Sequence, residues 1–119
     1  MNPTAFMSSI VTIFRSRLRP EHAAEYHLVA SQIERLARSM TGFVAFKSFS
    51  APDGERVSLV EFESEAAHNA RRDHPRHRAV QQLGRERFYS EFHIQVCRVE
   101  KEHGMAGPGG PNQERQSLY

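Results

Sequence analysis

His74 and His77 flank a proline in the run His74-Pro75-Arg76-His77, and Arg71 stands about one helical turn ahead of them. Imidazole exchanges a proton near neutral pH, so either histidine could take a proton from a phenol. A guanidinium nearby would bind an anionic oxygen, or stabilise an enolate as it forms. Further on, Arg85, Tyr89 and His93 are candidates for holding a ligand. Tyr89 and His93 differ by four positions, which along a strand brings them to one face with Glu91 and Gln95. Asn69 could orient a substrate hydroxyl. Two histidines three apart could also serve a metal, but no third ligand stands beside them in sequence, so no metal site is expected. Plainer roles compete with these. His74 could cap a helix, His77 could pack against a sheet, Arg71 could pair with Glu61 or Glu63, and the row from Tyr89 to Gln95 could bond to another subunit.

These residues need a scaffold, and the chain supplies one in short alternating elements. Residues 9–18 are rich in β-branched and aromatic side chains and stop at Arg19-Pro20, as a first strand should. Pro20 suits the first turn of a helix, and Ala23, Tyr26, Ala30, Ile33, Ala37 and Met40 recur at helical spacing up to Thr41-Gly42. Residues 43–49 and 57–63 read as a hairpin about Pro52-Asp53-Gly54. Ser64 is a natural N-cap for a helix carrying Ala66, Ala67 and Ala70. Pro75 disfavours helical geometry at His74, so a break there is expected, followed by a restarted helix over 75–83 closed by Gly84. Residues 88–99 form the last strand, and the order is βαββαβ.

At 119 residues and 39% hydrophobic content, one core is the limit. Residues 1–103 form the expected domain. Residues 104–119, with Gly107-Pro108-Gly109-Gly110-Pro111, bury too little to order themselves and are expected to be a flexible tail. The single Cys97, the lack of a secretory leader pattern and the absence of a long apolar run point to a soluble, cytoplasmic protein with no membrane contact. A net charge of +2 and several clustered arginines suggest nucleic acid only weakly, because Asp73 and Glu86 interrupt the cluster and no recognition motif accompanies it. The strands are apolar on both alternating sets, Ile10 and Phe14 against Val11 and Ile13. Two helical segments can cover only one face of such a sheet, so a second copy is expected to cover the face opposite the helices.

The order βαββαβ, Gly42-Phe43-Val44, Asp53-Gly54 ahead of Leu59-Val60-Glu61-Phe62-Glu63-Ser64, then Glu65-Ala66, His74-Pro75-Arg76-His77 and Gly84-Arg85-Glu86-Arg87-Phe88-Tyr89 together resemble the antibiotic biosynthesis monooxygenase family. The resemblance spans about residues 9–100. It implies a ferredoxin-like α+β domain with a four-stranded antiparallel sheet, assembled as a dimeric α+β barrel with sheets face to face. Among the family are oxygenases that act on phenolic polyketides or quinols without metal or flavin. The expectation that follows is a cofactor-independent monooxygenase that oxidises a small aromatic, polyketide-like or quinol substrate with dioxygen. The alternatives are a non-catalytic dimer that binds a small ligand or regulates a partner, and a haem-degrading enzyme. Deprotonation would fall to His77 or His74, oxyanion stabilisation to Arg71 or Arg85, and placement of the substrate to Asn69, Tyr89 and His93. Where the family commonly has a tryptophan before the His-Pro element, this chain has Arg71, and it contains no tryptophan at all.

Overall fold

The computed structural model describes residues 8–105. The apolar runs pair as their composition requires: β1 (Ile10–Leu18), β2 (Phe43–Ser50), β3 (Arg56–Phe62) and β4 (Tyr89–Arg98) form one antiparallel sheet in the order β2–β3–β1–β4. The helices are α1 (Ala23–Ser39), α2 (Glu65–Arg72) and α3 (Pro75–Leu83), so the expected α+β, ferredoxin-like order is present. Pro20 opens a short 3-10 turn, Pro20–His22, ahead of α1 rather than α1 itself. The flexible tail expected over 104–119 lies almost entirely outside the described residues.

The pairing register decides which side chains meet the helices. Thr12 lies opposite Val60 and Val96, and Phe14 opposite Ser58 and Ile94, so these share the helix-facing side. Ala37, Val60 and Phe62 pack there as a sealed core, with Met40, Phe43, Phe46 and Ala67 against it. On the other side lie Val11, Ile13, Val57 and Leu59, an apolar strip next to His93 and Gln95 of β4.

Two glycines fix close approaches. Gly42 has φ of 83°, and a Cβ there would sit 2.6 Å from the Ala67 Cβ, so β2 can leave α1 only with glycine at that turn. Gly84 departs from expectation. It stays in right-handed helical geometry, φ −60°, and does not close the helix; the chain runs on through a wide π-helical turn, Gly84–Phe88. Its bareness serves packing, because a Cβ would lie 2.6 Å from the ring of Tyr89.

Candidate functional site

Helix α2 is short, and its local sequence explains both its start and its orientation. Ser64 Oγ accepts the Ala67 backbone N–H at 3.1 Å, capping the first turn. Helical spacing then turns Ala67, His68 and Arg71 inward, while Arg72 turns out to pair with Asp73 at 3.0 Å. Glu65 is held outside by Arg98 at 2.8 Å. After the break at His74, α3 turns His77, Val80 and Gln81 in the same direction. From α1 come Tyr26, Ala30 and Ile33.

Between these helices and the sheet lies a cavity of about 490 Å³, the size of a site for a small organic molecule. Its floor carries Thr12, Phe14, Phe46 and Val60, and its open side carries Phe92, Ile94 and Val96. Aromatic rings form one wall: Phe14 stacks on Phe92 with centroids 5.9 Å apart, and Tyr89 tilts against both at 5.2 and 6.0 Å. Tyr26 meets Phe88 and Tyr89 edge-on, with the Arg56 guanidinium 5.5 Å above its ring. At the mouth, Arg85 lies 6.0 Å over the Phe92 ring.

Arg71 is 8% exposed, and among the described residues its guanidinium has no ion pair and no side-chain hydrogen bond. Burial alone pushes it down to about 10, so it keeps its charge at neutral pH at a considerable cost. The expected carboxylate partners are elsewhere. Glu61 pairs in register with Val11 on the far side of the sheet, and Glu63 lies exposed at the strand end, near Gly42. Glu34, which does line the cavity, is engaged with Arg38 at 2.9 Å.

His77 is pushed down to about 4, first by burial and then by the Arg71 charge, with the Arg72 carbonyl offsetting part of this. It is therefore a neutral imidazole at physiological pH. Its Nδ1 is shut off from solvent, so of the two ring nitrogens a ligand in the cavity could meet only Nε2. Burial, then Arg71 and Arg72, lower His68 as well, which is only 7% exposed. Burial first, then the neighbouring Tyr26 side chain, push the Tyr89 phenol above its ordinary range and keep it protonated.

Of the residues expected from sequence, Arg71, His77, Arg85 and Tyr89 come together in the cavity. His74 does not: its Nδ1 accepts the Arg76 backbone N–H at 3.1 Å, so its imidazole caps α3. Asn69 lies half-buried on α2 away from the lining. His93 faces away from the helices, opposite Arg15. The expected common face of Tyr89 and His93 fails because β4 carries a bulge: Arg17 pairs with Glu91 but Leu18 pairs with Tyr89, leaving Ser90 as the extra residue. The shift turns Tyr89 inward and puts Glu91, His93 and Gln95 on the far face. His68, Tyr26 and Thr12 were not anticipated from sequence. His68 carried a signal, since it shares the inward stripe of Ala67 and Arg71.

The family profile of antibiotic biosynthesis monooxygenase matches residues 9–83, more than half of the chain. The chain belongs to that family. The uncharacterized protein YqjZ of Bacillus subtilis (strain 168) is similar at 26% identity over 87 residues, covering 73% of this chain and 76% of that protein. Rv0793 of Mycobacterium tuberculosis superposes with a TM-score of 0.72 at 18% identity, over 82% of this chain and all (100%) of that one. A candidate antibiotic biosynthesis monooxygenase from Caulobacter crescentus CB15 superposes at 0.70 and 14% identity, over 81% of this chain and 93% of that one. At such identities the structural matches establish a shared fold. The family and the names of its relatives support a general activity of this type. Among the described residues, no helix is long and apolar enough to cross a membrane.

Proposed function

We propose that the chain is an oxygenase that oxidises a small aromatic, quinol-like or polyketide-like substrate with dioxygen inside this cavity, without a resident metal or flavin. The observation that carries the reading is the unpaired, buried Arg71 guanidinium beside the neutral His77 imidazole in a ring-lined chamber. The rings of Phe14, Tyr89 and Phe92 hold the substrate body. His77 Nε2 takes the proton from the substrate hydroxyl or an activated C–H. In the empty cavity His77 is a weak base, but the Arg71 charge that depresses it also stabilises the new oxyanion, and the oxyanion in turn offsets that charge at the imidazole. The resulting anion is electron-rich enough to reduce dioxygen directly. For an anthrone-like substrate the balance closes without a co-reductant: the CH₂ group becomes C=O, one oxygen atom enters the product, and the other leaves as water with the two hydrogens.

A second copy is proposed to cover the strip of Val11, Ile13, Val57 and Leu59, since a partly exposed apolar strip on a sheet face is better buried against another subunit. A binding role without turnover is favoured by one observation, the low basicity of His77. Dioxygen uptake by metal-free and flavin-free protein with hydroquinones, anthrones and naphthols separates the two. Uptake above autoxidation that falls in His77→Gln supports the oxygenase; no uptake with a ligand shown to bind selects the binding role.

A further inference from the structure

We propose that the molecule this cavity accepts is an aromatic hydroxy acid, whose carboxylate supplies the counter-ion that Arg71 lacks. This deepens the reading of the cavity as a site for small aromatics and rests on it. Arg71 is more than nine-tenths buried, lines the cavity, and has no ion pair among the described residues. The surrounding lining cannot neutralise it. His68 and His77 are neutral, Glu34 is bound to Arg38, and Asp73 two residues away is bound to Arg72. Arg56 and Arg85 add positive charge on the same lining. A buried, unpaired charge is retained at a cost unless a partner arrives, and here the partner has to come with the ligand.

The chemistry of the ligand follows from the donors. A guanidinium offers five N–H groups in a planar fork, enough for a carboxylate and a neighbouring oxygen at once. A hydroxyl beside the carboxylate on the ring would therefore lie within reach of the same cation as it loses its proton to His77. The aromatic body of the ligand would then lie along Phe14, Tyr89 and Phe92.

The test uses the full chain and two probes that differ only in charge, 1-hydroxy-2-naphthoate and 1-hydroxy-2-naphthamide, titrated calorimetrically at pH 7. The carboxylate should bind about ten- to a hundredfold more tightly than the amide, the range expected of a charge-assisted hydrogen bond. In Arg71→Met the ratio should collapse to about one, in Arg71→Lys it should survive in part, and in Phe92→Ala both ligands should weaken with the ratio kept. Carboxylate binding should also take up a fraction of a proton, because an anion beside Arg71 favours the charged form of His77. Equal affinity for the two probes, no naphthoate binding at millimolar concentration, or an unchanged ratio in Arg71→Met would overturn the proposal. Selective naphthoate binding without dioxygen uptake upholds this inference and removes the oxygenase; uptake with neutral phenols and no carboxylate preference does the reverse.

Discussion

Replacing Arg71 by methionine should make the ligand-free protein harder to unfold. The guanidinium is 8% exposed and unpaired, and burial pushes it well below the ordinary arginine range, down to about 10. Each factor of ten in acidity is worth about 1.4 kcal/mol, so keeping the charge in the folded state costs on the order of 3 kcal/mol at neutral pH. Methionine is an unbranched apolar side chain that can adapt to the same channel, and it carries no such penalty. Allowing for imperfect packing, the gain should be about 1–3 kcal/mol, or a rise in Tm of about 5–15 °C for a domain of this size. The sign with pH also follows. The folded state holds this proton less tightly than the unfolded one, so the penalty is complete below pH 10 and is relieved only above it. The gap between wild type and variant should therefore be flat from pH 7 to 9. Far-UV circular dichroism during heating and urea unfolding measures both. A variant that folds but melts several degrees below wild type would mean that Arg71 is satisfied in the empty protein, and the reasoning about its counter-ion would fail.

His77 should make the fold sensitive to acid. Its folded value of about 4 lies below the ordinary histidine value, so the unfolded chain binds the extra proton first and stability falls as pH drops from about 6.5 to 4. The loss should be about 2–3 kcal/mol, and urea midpoints across that range should flatten in His77→Gln. The strip on the far face of the sheet predicts that Ile13→Lys with Leu59→Lys yields a folded monomer by sedimentation equilibrium, whereas wild type sediments as a dimer; a monomeric wild type would refute the intersubunit role.

The elements were legible because their signals are local. The hairpin about Asp53-Gly54, the Ser64 cap and the break at His74 each follow from a residue and its immediate neighbours. The cavity was only half legible. Arg71 and His77 could be placed because helical spacing carries them inward, but the partner of Arg71 could not. Glu61 is near enough in sequence to serve, but strand pairing with Val11 puts it on the opposite face. Tyr89 and His93 separated for a similar reason: a single unpaired residue, Ser90, inverts the faces of the strand that follows, and nothing in the local sequence announces it. His74 turned from a chemical candidate into a cap, a role its position before Pro75 already allowed.

The oxygenase account rests on proton transfer to His77 under the charge of Arg71, and this step can be watched before any dioxygen is present. An anthrone or 1-hydroxy-2-naphthoate would be mixed anaerobically with the protein, its absorption recorded, and air-saturated buffer then added. The account predicts a red-shifted enolate or phenolate band in wild type that is absent in His77→Gln, and its decay with one dioxygen consumed per ligand. A ligand that binds in the cavity yet shows no such band, or a band equally strong in His77→Gln, would contradict it.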